Sequence, residues 1–90
     1  MSIYRKKSQR LSKKLAERRH CAKRALQRYR IKLTKRIRIR IVQSIEHEEA
    51  QIVRRISNRL TVWRVSIPGY PELKVVYDKK RKEVVTFLPN

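Results

Sequence analysis

The sequence predicts an α+β fold in which two N-terminal helices pack on a four-stranded antiparallel β-meander. Apolar residues recur at helical spacing in the first half of the chain, whereas short β-branched runs separated by turn-forming residues fill the second half. Ninety residues support one hydrophobic core and are too few for two. We therefore expect a single domain, residues 1–90, comprising a flexible basic arm (1–7), a basic helical half (8–49) and an antiparallel sheet (50–90).

The first helix is expected to run from about Ser8 to Tyr29. Its apolar positions lie at helical spacing, and neither proline nor glycine interrupts them. Ser8 or Ser12 can cap its N-terminus by accepting a hydrogen bond from a backbone N–H. These apolar positions are Leu11, Leu15, Ala22, Leu26 and Tyr29. Almost all the other positions are Lys, Arg or Gln, so most of the helix circumference is cationic.

The segment after Thr34 is compatible with either a helix or a strand. Arginine and isoleucine alternate from Arg36 to Ile41, which is typical of a half-buried strand, and β-branched isoleucine favours strands. A helix instead places every fourth residue on one stripe, and Thr34 can cap it. The stripe would comprise Leu33, Ile37, Ile41 and Ile45. Acidic residues at 46, 48 and 49 oppose the helix dipole, but the length of the segment favours the helix.

Four strands are expected after residue 50. They cover residues 51–56, 60–67, 73–77 and 84–88. Pro68 and Gly69 mark one turn, and the charged segment 78–82 forms another. Because the connections are short, consecutive strands should pair as an antiparallel meander. Trp63, Val65, Leu73, Val75, Val85 and Phe87 supply the apolar face that a helix can cover.

The charge of the chain is concentrated in its first half. Residues 1–40 contain 17 Lys or Arg and one acid, a net charge of +16, and residues 41–90 contribute nine cations and six acids, a net charge of +3. The sum is +19, with an isoelectric point near 11.3. Such an excess opposes compaction through self-repulsion unless a partner neutralises it. The sequence therefore predicts a polyanionic partner, and nucleic acid is the commonest.

Several classes of site and location are disfavoured by the sequence. The single cysteine, Cys21, permits neither an internal disulfide nor a thiolate zinc site. The segment Glu46-His47-Glu48-Glu49 lacks the paired histidines of a metalloprotease helix, and one glycine cannot form a phosphate-binding loop. No apolar run suits a membrane span or a secretory signal. We expect no metal, no cofactor and no membrane partner, and a cytoplasmic location.

Three stretches of the chain are similar to small proteins of phages and prophages. They are His20-Cys-Ala-Lys-Arg-Ala-Leu-Gln-Arg-Tyr29 with the following Leu33-Thr34, Arg54-Arg-Ile-Ser-Asn-Arg-Leu-Thr-Val-Trp63, and Val75-Val-Tyr-Asp-Lys-Lys-Arg-Lys-Glu-Val-Val-Thr-Phe-Leu-Pro89. The order of two helices and four antiparallel strands resembles the RelE-type (barnase/EndoU/colicin/RelE-like) ribonuclease-toxin fold. This resemblance implies a helix at 34–48, RNA rather than DNA, and a bacterial host cell if the chain is phage-encoded. Relatives commonly have glycine where this chain has Arg30.

A candidate catalytic set follows partly from spacing and partly from the resemblance. Metal-independent RNA cleavage needs groups that move protons and cations that stabilise the developing phosphate charge. His20, Arg24 and Arg28 recur every four residues, and neighbouring guanidiniums favour a neutral imidazole that can act as a base. The resemblance adds Tyr77 and Lys79 of the last hairpin. The set is His20, Arg24, Tyr77 and Lys79, although a histidine in a basic phosphate-binding stripe is the commoner case.

The candidate nucleic-acid-binding residues are cations and one aromatic residue. They are Arg18, Arg19, Lys23, Arg28, Tyr29, Arg36, Arg38, Arg40, Arg54, Arg55, Arg59, Lys80 and Arg81. Arginine can bind phosphate with two parallel hydrogen bonds, and aromatic rings can stack on bases. Trp63 and Tyr77 can also stack, but aromatic residues within strands are frequently core. Three functions stay open: a nucleic-acid-binding module, which we favour, a metal-independent ribonuclease, and a phage inhibitor of an acidic host protein.

Overall fold

The computed structural model describes the backbone of residues 2–89 and the side chains of residues 16–89. Two helices precede four strands, which pair in the order β1-β2-β3-β4, each antiparallel to its neighbours. The elements are α1 (Ser2–Tyr29), α2 (Lys35–Glu46), β1 (Gln51–Arg55), β2 (Leu60–Val65), β3 (Leu73–Asp78) and β4 (Glu83–Leu88). The predicted fold class, an α+β meander with two N-terminal helices, is confirmed.

Helix α1 begins earlier than the sequence pattern indicated. Its helical backbone starts at Ser2, so residues 2–7, which we expected to form a flexible arm, are helical. Lysine, arginine and glutamine are good helix formers, and no proline or glycine stops the helix from extending toward the N-terminus. Consequently Ser8 and Ser12 lie within the helix and do not precede it. The side chains of Leu11 and Leu15 lie outside the described residues.

The buried face of α1 also differs from the predicted apolar stripe. Leu26 is 57% exposed, whereas Cys21 and Ala25 are buried against β4. The Cys21 thiol donates to the backbone oxygen of Val84 at 3.7 Å. Small side chains allow the helix backbone to approach the strand closely, so residue size as well as hydrophobicity sets the contact face.

The segment after Thr34, which the sequence left open between helix and strand, forms the helix α2. Thr34 caps it, because the threonine hydroxyl accepts the Ile37 N–H at 3.2 Å. Ile41 and Ile45 are buried, with Ile37 packed beside them. A strand would have placed Ile37, Ile39 and Ile41 on one face, but Ile39 is 47% exposed. The four-residue repeat therefore describes this segment and the two-residue alternation does not.

Both helices end in residues with left-handed backbone. Arg30, the residue that follows α1, has φ 55°. Glu48 has φ 58° after α2, where its N–H donates to the oxygen of Ile45 at 3.3 Å and the next N–H donates to that of Ser44 at 2.9 Å. This pair of bonds is a Schellman motif with glutamate in the position that favours glycine. A side chain there costs roughly 1–2 kcal/mol relative to glycine.

One face of the sheet carries the hydrophobic core. The main sheet residues in it are Val65, Leu73, Val75, Tyr77 and Phe87. Helix α1 packs along the edge strand β4, while α2 contacts β2 and β4. Strand β1 lies at the opposite edge, and all five of its residues are exposed. The two helices therefore cover the β4 side of the sheet and leave the β1 edge uncovered.

Candidate nucleic-acid interface

The most distinctive surface of the molecule is formed by the cations that lie between residues 18 and 40. We name them the helical cation layer: Arg18, Arg19, Lys23, Arg24, Arg28, Arg30, Lys32, Lys35, Arg36, Arg38 and Arg40. Each is exposed or partly exposed. Among the side chains that the structure describes, none of these cations forms an ion pair with a carboxylate. The layer therefore leaves its positive charge available to an external anion.

The ion pairs of the described residues involve arginines outside this layer. Arg59 pairs with Asp78 at 2.8 Å, and Arg64 pairs with Glu72 at 2.7 Å. Arg81 pairs with two glutamates, Glu17 at 2.8 Å and Glu83 at 3.1 Å. Glu17 is the single acid of residues 1–40, so its pairing with Arg81 leaves the layer with no carboxylate of its own.

Like charges within the layer recur at positions that bring them together on a helix. Arg19 and Lys23 are exposed one turn apart on α1, and Arg36 and Arg40 are exposed one turn apart on α2. Such pairs destabilise a helix by roughly 0.2–0.5 kcal/mol each. The layer consequently costs stability in the isolated chain, and a bound polyanion would offset that cost.

An interhelix groove opens between α1, α2 and the β3–β4 hairpin. Its volume is about 760 Å³. Apolar side chains from all three elements line it, including Cys21, Val42 and Val84. The charged and polar groups around it are Glu17, Arg18, Lys35, Arg38, Gln43, Glu46, Arg81, Lys82 and Glu83. Arg38 also donates to the backbone oxygen of Arg18 at 3.3 Å, which links the two helices across the groove.

Tyr77 lies in the core and fixes a carboxylate at the wall of the groove. The residue is only 5% exposed, and its hydroxyl donates to Oε1 of Glu46 at 3.2 Å. Burial and, secondly, the adjacent Glu46 carboxylate together raise the pKa of Tyr77 to about 12. The phenol is therefore protonated at neutral pH and remains a hydrogen-bond donor to Glu46.

The structure does not gather the predicted catalytic set around one pocket. His20 is exposed on α1, and Arg24 of the same helix hydrogen bonds to Gln27 at 3.4 Å. Lys79 is exposed in the β3–β4 turn, where its N–H donates to the oxygen of Arg59 at 2.9 Å. Tyr77 faces α2 from the core. None of these four residues lines the interhelix groove.

The predicted binding residues divide into an accessible group and a structural group. Seven belong to the helical cation layer: Arg18, Arg19, Lys23, Arg28, Arg36, Arg38 and Arg40. Arg54 and Arg55 are exposed on β1, and Lys80 is exposed in the β3–β4 turn. Arg59 and Arg81 are held in the ion pairs described above. The sequence prediction omitted Arg30, Lys32 and Lys35, although they lie in the same cation-rich segment.

Tyr29 has a structural position, which differs from the base-stacking role expected for it. Its hydroxyl donates to the oxygen of Leu88 and accepts the N–H of Lys74 at 3.0 Å. Lys74 and Leu88 are register partners on β3 and β4, so the hydroxyl bridges the end of this strand pair. The ring makes an edge contact with Phe87 at 6.2 Å. Trp63 is likewise packed against the core, with its indole N–H donated to Thr61 at 2.7 Å.

The β3–β4 turn is organised by one buried carboxylate. Asp78 is only 3% exposed and accepts the N–H groups of Lys80 and Arg81 at 2.9 and 3.1 Å, besides its bond from Arg59. Burial raises the pKa of Asp78, but these hydrogen bonds and the Arg59 charge outweigh burial and hold the pKa below its usual value. The turn is thereby fixed close to α1, where Arg81 reaches Glu17.

No protein-family model matches the chain, and comparisons with curated proteins and with solved structures found no match. Within residues 16–89, no group of three or more His, Cys, Asp or Glu side chains is arranged to hold a metal ion. Across the part of the chain that the structure describes, neither helix has the length and apolar character required to cross a bilayer. The molecule is thus defined by its α+β fold and by its helical cation layer.

Proposed function

We propose that this protein binds nucleic acid through the helical cation layer, with RNA preferred to DNA. The observation that carries the proposal is the absence of ion pairs to carboxylates in this layer among the described side chains, in a molecule of net charge +19. When the cations of the layer bind the phosphates of a nucleic acid, the nucleic acid releases its condensed counterions. This release supplies most of the free energy of such binding. The preference for RNA rests on the resemblance to RelE-type proteins, as does the bacterial host in whose cytoplasm we place the protein.

Two other functions make different demands on the molecule. A metal-independent ribonuclease would need His20, Arg24, Tyr77 and Lys79 to act on one phosphate, and the buried position of Tyr77 disfavours this. Intact RNA after incubation with the protein in EDTA would exclude the ribonuclease.

An inhibitor of an acidic host protein would use the same layer, because carboxylates also complement arginine. A partner that stays bound after nuclease treatment would favour the inhibitor.

The proposal is tested by the salt dependence of binding to single-stranded RNA. The double variant Arg19→Gln/Lys23→Gln removes two exposed cations of the layer, so the slope of log affinity against log salt should decrease by about 1.4, or about 0.7 for each lost phosphate contact. The matched control is Arg54→Gln/Arg55→Gln, which removes the same charge from β1; both arginines were candidates from the sequence, but they lie outside the helical cation layer, at the sheet edge opposite the strand that packs on α1. Its slope should stay close to that of the wild type.

Either of two results would overturn the proposal. The first is binding to RNA that does not depend on salt. The second is an equal loss of slope in the layer variant and in the β1 control, since it would mean that net charge alone determines affinity. Duplex DNA of the same length, measured under the same conditions, tests the preference for RNA separately.

A further inference from the structure

The interhelix groove differs chemically from the rest of the cationic surface. Its apolar lining includes Leu33, Ile39, Val42, Val84 and Val85. Its volume of about 760 Å³ lies within the range of pockets that bind small molecules. Pure phosphate binding needs no such apolar space, because phosphates bind at the solvent-exposed ends of lysine and arginine side chains. The groove therefore suits a ligand that has an apolar part as well as a charge.

Cations of the layer stand beside this apolar lining. Arg18, Lys35 and Arg38 contribute to the walls of the groove, and none of the three forms an ion pair with a carboxylate within residues 16–89. A phosphate bound to them would place the attached sugar and base at the groove. Bases of single strands can leave the stack and pack between apolar side chains, whereas paired bases must first be extruded. The groove is thus complementary to single-stranded nucleic acid.

The polar side chains of one wall restrict which base can fit. Glu46 is held in place by the Tyr77 hydroxyl at 3.2 Å, and Gln43 lies nearly one turn earlier on the same helix. An ionised carboxylate accepts hydrogen bonds and cannot donate them. An exocyclic amino group, as in cytosine, can donate to it, whereas the corresponding oxygen of uracil would face a second acceptor.

We propose that the interhelix groove binds one unstacked base of single-stranded nucleic acid, selected for an exocyclic amino group by the Glu46 carboxylate. This inference rests on the proposed function, because the cations of the helical layer hold the phosphates that bring the base to the groove. It adds to that function a preference for single strands and a discrimination between bases. Neither property follows from charge alone.

Oligocytidine and oligouridine of about 12 nucleotides, compared near pH 7.5, provide the test, since that length lies within the usual site sizes of single-strand binders. The two oligomers carry the same charge and differ at the base edge. Wild-type protein should bind oligocytidine about tenfold more tightly, the equivalent of about 1.4 kcal/mol. Glu46→Gln should reduce this ratio to about twofold or less, because the amide can both donate and accept hydrogen bonds.

The matched control is Glu49→Gln, which removes one exposed acid that does not line the groove. Both variants lose one negative charge, so both should bind each oligomer more tightly. Of the two, only Glu46→Gln should lose the preference for oligocytidine over oligouridine. Gln43→Ala, at an exposed position, should also lower the ratio. Equal, salt-dependent binding of both oligomers by the wild type would refute the groove proposal and leave the proposed function intact. If the wild type showed no salt-dependent binding to either oligomer, both the groove proposal and the proposed function would be refuted.

Discussion

Replacement of Tyr29 by phenylalanine separates a structural role from a binding role at one residue. Tyr29 was expected from the sequence to contact nucleic acid, but its hydroxyl bridges Lys74 and Leu88 at the end of the β3–β4 pair. Tyr29→Phe keeps the ring and its edge contact with Phe87. The substitution therefore removes the hydrogen bonds of the hydroxyl with Lys74 and Leu88 and keeps the aromatic packing.

The size of the effect follows from those two bonds. Each hydrogen bond contributes roughly 0.5–1.5 kcal/mol net, so their joint loss should lower the free energy of unfolding by about 2 kcal/mol. Lys74 and Leu88 are partly exposed, so water can partly replace the lost partner, which limits the penalty. For a domain of this size, 1 kcal/mol corresponds to roughly 4–8 °C, and we expect Tm to fall by about 8–16 °C.

Thermal unfolding and RNA affinity should be measured on the same preparation. At a temperature where both proteins are folded, Tyr29→Phe should bind RNA within about twofold of the wild type, a difference of roughly 0.4 kcal/mol. An unchanged Tm together with a large loss of affinity would refute this reasoning, because it would show that the hydroxyl contacts the ligand and does not hold the strands.

Three further predictions concern individual residues outside the helical cation layer. Hydrogen bonds hold the pKa of Asp78 in the folded protein below its usual 3.8. Its ionised carboxylate therefore stabilises the fold fully above pH 3.8, and this stabilisation is lost as the pH falls through the lower pKa of the folded state. In urea unfolding, the free energy of unfolding of Asp78→Asn should consequently depend less on acid pH than that of the wild type. Glu48→Gly should raise the free energy of unfolding by about 1 kcal/mol, because glycine adopts the left-handed backbone without strain, whereas Glu48→Ala, which removes the carboxylate but keeps the Cβ, should not match that gain. Burial raises the pKa of the Cys21 thiol to about 11, so a thiol reagent at neutral pH should label the native protein slowly and the urea-unfolded protein rapidly; equal rates would contradict the buried position.

Most of the fold could be predicted from local patterns. The four-residue repeat ending at Ile45 and the cap at Thr34 indicated a helix, but the arginine–isoleucine alternation left a strand open, and the resemblance to RelE-type proteins favoured the helix that the structure has. The contact face of α1 was predicted only in part, because Tyr29 packs against the core whereas Leu26 is exposed and the small Ala25 packs on β4 in its place. The helical backbone of residues 2–7 was missed, although no proline or glycine interrupts these residues.

The candidate site could be predicted only in part. Composition indicated that the first half of the chain carries the excess charge, but it could not show which arginines are neutralised. That depends on tertiary contacts such as Arg81 with Glu17, which are 64 residues apart in the sequence. The interhelix groove was missed for the same reason, since its walls come from α1, α2 and the β3–β4 hairpin. Tyr77 was placed beside RNA by resemblance, although its position in the register turns it toward α2.

The central claim is that the helical cation layer, and not the ion-paired arginines of the sheet, receives the phosphates. The most direct test is the Nε–Hε spectrum of ¹⁵N-labelled arginines during titration with unlabelled single-stranded RNA. We expect signals of the layer, such as those of Arg19 and Arg36, to shift on binding while those of Arg59 and Arg64 stay in place. Shifts confined to the sheet arginines, with the layer unaffected, would contradict the claim.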